Sequence, residues 1–153
     1  MIKTRVMFAT LTGNNEAVAN IIISELEKAG ISAKKEQIEL VDARTISKEN
    51  TDLLILVPYT FDLGSIPDET LDFYEDLDEV NLSPIVFGVA GSGDDFYGDD
   101  YCTAVDTFAE RLQASGAIEG AQRVKVNLYP DATDEQALAT FVQNLLTHVK
   151  GQD

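Results

Sequence analysis

The sequence contains little cysteine, no tryptophan and no long apolar run. Cys102 is the single cysteine among 153 residues, so an internal disulfide is impossible. The longest apolar runs, such as LLILV at 53–57, are far too short to cross a bilayer. The N-terminus MIKTRVMFAT lacks the apolar core and small-residue cleavage site of a signal peptide. We therefore expect residues 1–153 to form one domain in a reducing cytoplasm.

Basic residues are also scarce: 11 Lys and Arg stand against 27 Asp and Glu, for a formal charge of −16. Residues 49–110 hold 16 acidic residues and no Lys, Arg or His, and we call this segment the acidic block. Nucleic acids and anionic membranes need cations to neutralise their phosphates, so both are disfavoured as partners. Basic-surfaced proteins are favoured. The alternative is that the acidity serves solubility alone.

The hydropathy pattern predicts an α/β fold. Continuous apolar runs are typical of parallel strands covered on both faces, and one-sided apolar spacing is typical of amphipathic helices. The predicted strands are 6–9, 31–40, 53–59, 84–91 and 123–129, the last as an edge strand. The predicted helices are 14–29, 67–77, 101–115 and 131–149, with Thr133 as the N-cap of the last. This alternation indicates a doubly wound sheet, which binds ligands beyond the carboxyl ends of its strands.

The stretch ATLTGNN, residues 9–15, joins the first strand to the first helix. A helix N-terminus offers unpaired N–H groups and a positive dipole end, and Thr10, Thr12, Asn14 and Asn15 would add neutral donors. The stretch matches neither the three-glycine dinucleotide fingerprint nor the Gly-Lys-Ser/Thr of the P-loop. A single terminal phosphate fits it better. An ordinary N-cap turn remains the alternative.

Two further loops follow the third and fourth predicted strands and carry aromatic residues. The first is PYTFDLGSIPDE at 58–69, and the second is GSGDDFYGDDYC at 91–102, where Gly91 and Gly93 would let the backbone approach a ligand closely. Aromatic rings on two loops that face a phosphate turn suggest a flat ring held between them. For any single ring, capping of the core is the alternative.

Together the three loops resemble those of the flavodoxins. The phosphate motif Thr/Ser-x-Thr-Gly-x-Thr is matched from Thr10 to Asn14, and Asn15 replaces its final threonine. The second loop matches at Tyr59, Thr60, Phe61, Asp62, Leu63, Gly64 and Pro67. The third matches at Gly91, Ser92, Gly93, Asp94 and Tyr97, followed by Tyr101, Cys102, Ala104, Val105 and Asp106. The run 123–129 leads to the last helix without a long insertion, which resembles the short-chain type.

The resemblance implies a five-stranded parallel sheet of order 2-1-3-4-5 with helices on both faces. It implies a low-potential, one-electron carrier with non-covalently bound FMN, monomeric and without substrate chemistry of its own. Its partners would be an NADPH-linked flavodoxin reductase and acceptor enzymes. Tyr97 would stack on one flavin face and Phe61 on the other. The implied cofactor-binding residues are Thr10, Leu11, Thr12, Gly13, Asn14, Asn15, Tyr59, Thr60, Phe61, Asp62, Leu63, Ser92, Gly93, Asp94 and Tyr97.

Three departures from the family pattern keep alternatives open. Asn15 replaces threonine, Phe61 replaces tryptophan and Asp62 replaces glycine. A flavodoxin-like interaction module that has lost FMN is one alternative, and a small FMN-dependent reductase resembling quinone reductases is another. A phospho-acceptor receiver domain is disfavoured, because the clustered acids that it needs after strand one are replaced by ATLTGNN.

Cys102 and His148 are the remaining residues with reactive side chains. They lie far apart in the sequence, so a Cys-His nucleophile is disfavoured and we expect Cys102 to pack in the core. His148 falls in the last turn of the final helix, where a partial positive charge is favourable. Without a cluster of Cys or His we expect no metal site with soft ligands.

Overall fold

A computed structural model describes residues 2–9, 13–59, 68–93 and 102–151 of the chain. These residues form six strands and four α-helices. The strands are β1 Thr4–Phe8, β2 Ala33–Gln37, β3 Leu53–Val57, β4 Val86–Gly93, β5 Ile118–Glu119 and β6 Val124–Asn127. The helices are α1 Asn14–Lys28, α2 Asp68–Asp76, α3 Thr103–Ala114 and α4 Ala132–Lys150. Among the helices described, none is long and apolar enough to cross a membrane.

The strands form one parallel sheet in the order β2-β1-β3-β4-β5, with β6 also paired to β4. β3 lies between β1 and β4, and Val57 of β3 is in register with Phe8 of β1. The predicted doubly wound fold and strand order are confirmed. Because all the strands are parallel, their carboxyl ends meet at one edge of the sheet and their amino ends at the other.

The central strands are buried on both faces, as their continuous apolar runs predict. Leu53, Ile55 and Val57 of β3 face the helices α1 and α4, where Phe141 and Leu145 complete one core. Leu54 and Leu56 face the opposite way, toward α2 and α3. Alternate side chains of a strand point to opposite faces, so a run without polar residues needs helices on both sides.

The fifth position of the sheet is occupied by two short strands, where the sequence predicts one. β5 pairs with Val86 and Phe87 in the amino half of β4, and β6 pairs with residues 90–93 in the carboxyl half. The chain leaves the sheet after Gly120, whose N–H donates to the Phe87 carbonyl at 2.9 Å. β5 has only two residues and is too short to show a periodic hydropathy pattern, so the sequence does not predict it.

Several boundaries differ from prediction by one to three residues. The second strand ends at Gln37, because Ile38–Leu40 turns into a 3-10 helix. β3 ends at Val57, which leaves Pro58 and Tyr59 in the following loop. α1 and α3 each end one residue before the predicted end, and the predicted glycine follows each with positive φ, Gly30 at 81° and Gly116 at 98°. Pro67, the predicted first turn of α2, lies outside the described residues.

The predicted N-cap of the last helix is wrong. Asp131 caps α4, where its carboxylate accepts a hydrogen bond from Asp134 N, and the Asp134 carboxylate in turn accepts one from Asp131 N. Thr133 lies inside the first turn. A capping box of two aspartates satisfies two backbone donors at once, which a threonine two residues later cannot do.

Candidate functional site

The carboxyl ends of β1, β3 and β4 meet beside the N-terminus of α1. Ala9, directly after β1, donates its N–H to the Val57 carbonyl of β3 at 2.9 Å. β2 lies on the other side of β1, so the chain changes direction in the sheet between β1 and β3. In open α/β sheets, ligands bind in the crevice at such a change of strand order.

The N-terminus of α1 has the geometry of an anion cradle. Gly13 precedes the helix with φ 93°, a left-handed conformation that favours glycine. The first helical hydrogen bond runs from Ala17 N to the Gly13 carbonyl at 3.0 Å. No side chain of the described residues caps α1, and a β-carbon at Gly13 would meet none of their atoms within 4 Å. The first turn of α1 therefore offers backbone N–H groups and a positive dipole end that no described side chain caps.

The sequence predicts that the Asn15 side chain donates to the ligand, but in the structure this side chain bonds to the backbone. Its side chain is only 2% exposed and is engaged by backbone groups on both sides. Nδ2 donates to the Ala9 carbonyl at 2.8 Å, and Oδ1 accepts a hydrogen bond from Ser92 N at 2.6 Å. The carboxamide therefore joins the end of β1 to the end of β4, and the backbone N–H is the group that Asn15 presents at the helix N-terminus.

Ser92 and Gly93 form the carboxyl end of β4, beside the cradle. The Ser92 hydroxyl donates to the Leu128 carbonyl, and Leu128 N donates to the Gly93 carbonyl at 2.7 Å. A β-carbon at Gly93 would lie 2.8 Å from Cys102 Sγ. Packing against Cys102 therefore leaves no room for a β-carbon at Gly93.

The other predicted site residues divide into two groups. Asn14 is the half-buried first residue of α1, and Tyr59 packs beside the apolar core between the sheet and α2 and α3. The remaining predicted residues lie outside the described residues. They are Thr10, Leu11, Thr12, Thr60, Phe61, Asp62, Leu63, Asp94 and Tyr97.

The sequence predicts that Leu128 and Tyr129 lie inside the last strand, and it does not predict their exposure at the edge of the sheet. β6 ends at Asn127, and Leu128 has φ 60°. Leu128 is 48% exposed and Tyr129 is 69% exposed. The only sequence signal is Pro130, which cannot continue a central strand. Two exposed apolar residues therefore lie at the carboxyl edge of the sheet.

The acidic block does not form one surface. Asp52 directly precedes β3, at the amino edge of the sheet, where it accepts hydrogen bonds from Lys3 N and Lys48 Nζ, each at 2.9 Å. Cations from outside the block also pair with Asp78 and Asp106. The first residues of the acidic block therefore lie away from the carboxyl edge of the sheet. Asp72 and Glu75 are exposed on α2, which leaves the carboxyl edge after β3.

Asp106 is held by two cations. Its carboxylate contacts Arg123 Nη1 at 3.0 Å and Lys125 Nζ at 2.6 Å. Burial opposes ionisation, but the two hydrogen-bonded cations outweigh it and hold the pKa of Asp106 below its ordinary value. These two ion pairs join α3 to β6 and to Arg123 directly before it. They therefore hold this part of the split fifth strand against α3.

Cys102 packs as expected. The side chain is 1% exposed, and its sulfur lies 3.6 Å from the Gly91 carbonyl oxygen and 3.7 Å from that of Val126. His148 lies in the last turn of α4. Within the described ranges, no three Cys, His, Asp or Glu side chains come together as metal ligands.

The fold is a doubly wound α/β sheet, and the helix N-terminus at its carboxyl edge has a geometry that suits a phosphate-bearing ligand. The Flavodoxin family model matches residues 6–141. The chain belongs to the flavodoxin family. Flavodoxins are FMN-binding electron-transfer proteins rather than enzymes, so this chain is an FMN-binding electron carrier.

Relatives resemble the chain over nearly its whole length. Probable flavodoxin 2 of Bacillus subtilis is 33% identical over 142 residues, 92% of each chain. A short-chain flavodoxin associated with a non-canonical PDU bacterial microcompartment is 38% identical, with a TM-score of 0.91 over 97% of this chain and 99% of that one. The flavodoxin of Streptococcus pneumonia TIGR4 is 37% identical, with a TM-score of 0.87 over 95% and 98%.

The described residues fit FMN at its phosphate end. The cradle at Gly13 supplies helix N–H donors and open space. Lys35, a cation near the same helix turn, is already paired with Glu16 at 2.8 Å. Neutral backbone donors suit a terminal phosphate, whose negative charge is stabilised by the helix dipole.

Proposed function

We propose that this flavodoxin is a low-potential carrier of single electrons between an NADPH-linked reductase and acceptor enzymes. The main support for the proposal is the position of the N-terminus of α1, which no described side chain caps and which lies where the carboxyl ends of β1, β3 and β4 meet. FMN supplies the one-electron chemistry, and the chain binds it, orients it and sets the charge around it. The proposed molecule is a single domain of residues 1–153, monomeric and cytoplasmic.

The proposed binding residues belong to three loops. The first turn would hold the phosphate through Thr10, Leu11, Thr12, Gly13, Asn14 and Asn15. The loop after β3 would cover one ring face through Tyr59, Thr60, Phe61, Asp62 and Leu63. The loop after β4 would hold the other face and the ring edge through Ser92, Gly93, Asp94 and Tyr97.

The proposed low potential rests on charge. Asp62, Asp68, Asp94, Asp95, Asp99 and Asp100 belong to the two loops that would flank the ring or directly follow them. Negative charge near the flavin disfavours the addition of an electron. A phosphate bound by neutral donors keeps its own charge, which acts in the same direction. We therefore propose a strongly reducing carrier.

The proposed docking surface lies around the same loops and on the exposed face of α2. Asp72 and Glu75 are exposed there, and the described part of α2 contains no basic residue in its last turn. Complementary charge raises the rate of encounter with a basic partner more than the final affinity. This supports transient partners with basic surfaces.

The test is an absorption spectrum of the purified protein, followed by titration of the flavin-free protein with FMN and with riboflavin. Riboflavin lacks the phosphate, so the ratio of the two dissociation constants measures the contribution of the cradle. We expect a yellow protein that binds FMN far more tightly than riboflavin. A colourless protein that ignores FMN would overturn the proposal and favour the interaction module. Equal affinities would show that the cradle holds no phosphate.

A further inference from the structure

Asn15 forms a bridge between two loops that are distant in the sequence. Its carboxamide donates to the Ala9 carbonyl and accepts from Ser92 N, 77 residues further along the chain. Both partners are backbone groups, and the side chain is buried. Because both ends of the carboxamide are used in good geometry, its orientation is set by the fold itself.

The bridge crosses the carboxyl end of β3. Ala9 follows β1 and Ser92 belongs to β4, and these strands flank β3 on opposite sides. The site of a β-carbon at Gly91 lies 2.7 Å from the Pro58 carbonyl oxygen and 3.8 Å from Asn15 Oδ1. The three strand ends are therefore packed closely around the carboxamide.

The same connection continues to Leu128, directly after β6. The Ser92 N–H donates to Asn15 Oδ1, and the Ser92 hydroxyl donates to the Leu128 carbonyl. A chain of hydrogen bonds thus runs from Ala9 through Asn15 and Ser92 to Leu128. It joins the start of the phosphate turn to the start of the loop proposed to hold the flavin ring.

We infer that Asn15 is a positioning residue for the flavin ring, and that its side chain does not bind the phosphate. It holds Ser92, near the end of β4, in place relative to Ala9 at the start of the phosphate turn. This inference rests on the proposed function, because it assigns the two loops to opposite ends of FMN. Removal of the carboxamide should then weaken binding of the ring, whether or not the ligand carries a phosphate.

Two variants separate the possible roles. Asn15→Leu keeps the approximate size of the side chain and removes both hydrogen bonds. Asn15→Thr introduces the residue that the family motif has at this position, and its shorter side chain cannot reach both backbone partners. Asn20→Thr is the matched control, because Asn20 is exposed on the same helix. The measurements are the dissociation constants of FMN and riboflavin, and hydrogen exchange of the Ser92 amide in the flavin-free protein.

We expect riboflavin affinity to fall about tenfold or more in both variants, because a buried donor or acceptor loses its partner. FMN affinity should fall by the same factor in Asn15→Leu, and the Ser92 amide should exchange faster in both variants. Asn20→Thr should match the wild type. If Asn15→Leu does not fold, Asn15→Thr still tests the inference through riboflavin and Ser92 exchange.

Other outcomes overturn the inference in distinguishable ways. A loss confined to FMN would make the Asn15 side chain a phosphate ligand. Unchanged affinities for both flavins, even with a less stable apoprotein, would make its role structural only. Failure of the wild type to bind either flavin would overturn the proposed function and this inference with it, whereas normal binding by wild type and variants alike would overturn this inference alone.

Discussion

Gly91 of β4 lies directly against the carbonyl oxygen of Pro58. A β-carbon at Gly91 would be 2.7 Å from that oxygen and 3.0 Å from Val105 Cγ2. The backbone oxygen cannot move aside as the end of a flexible side chain could. Close packing between the end of β3 and the start of α3 therefore leaves no room for a side chain at position 91.

The first prediction concerns this contact. Gly91→Ala should lower the free energy of unfolding by roughly 1–3 kcal/mol, because extra volume in a well-packed region forces the backbone to shift. Urea denaturation followed by circular dichroism measures the change. Gly151→Ala is the control, because a β-carbon there would meet Thr147 O at an ordinary 3.4 Å. A Gly91→Ala protein as stable as the control would show that β3 and β4 separate freely at this edge.

The second prediction concerns the thiol of Cys102. The side chain is buried between the Gly91 and Val126 carbonyls, so a thiol reagent should not label the native protein on the timescale on which it labels the denatured one. Ellman's reagent measures both rates by absorbance. Rapid labelling of the native protein would mean that the N-terminus of α3 opens readily, and the packing role would be wrong.

The third prediction concerns pH. Glu36 accepts two hydrogen bonds from the Arg5 guanidinium, each at 2.8 Å, and its side chain is only 12% exposed. Burial would raise the pKa of Glu36, but the hydrogen bonds and charges of Arg5 and Lys34 outweigh burial and hold that pKa below its ordinary value. A carboxylate with a lowered pKa stabilises the fold above its ordinary pKa and loses that contribution as the pH falls through the lowered value.

Glu36→Gln should therefore cost roughly 1–2 kcal/mol near neutral pH, and this cost should shrink as the pH is lowered through 4.5 and below. Unfolding in urea at several pH values measures it. Glu39→Gln, the same change at an exposed glutamate three residues further along the chain, serves as the control. A cost for Glu36→Gln that does not change with pH would show that the pair acts through packing and not through charge.

The fourth prediction tests the proposed docking surface. Neutralising α2 with Asp72→Asn and Glu75→Gln should slow association with a basic-surfaced reductase by about two- to tenfold at low salt, with less effect at high salt. Stopped-flow electron transfer at several ionic strengths measures this. Glu27→Gln is the control, because Glu27 is exposed near the end of α1 at the opposite edge of the sheet. Equal rates for all variants would exclude steering by α2.

Local patterns account for most of the fold and for the family. The run LLILV predicts a strand buried on both faces, because neither its odd nor its even positions hold a polar residue. The spacing of Val18, Ile22 and Leu26 predicts a one-sided helix, and α1 buries all three. The stretch ATLTGNN predicts a turn into a helix with an open N-terminus, and Gly13 and α1 have that geometry where they are described.

The sequence by itself determined the alternation of strands and helices, the membership of the flavodoxin family and the concentration of acid in the acidic block, because each is encoded in neighbouring residues. Only the tertiary structure decided that Asn15 contacts Ser92, that the fifth strand is split and that Asp52 lies at the opposite edge from the site. These features depend on strand register and on packing between residues far apart in the chain. No local periodicity specifies which distant backbone group a buried carboxamide will meet.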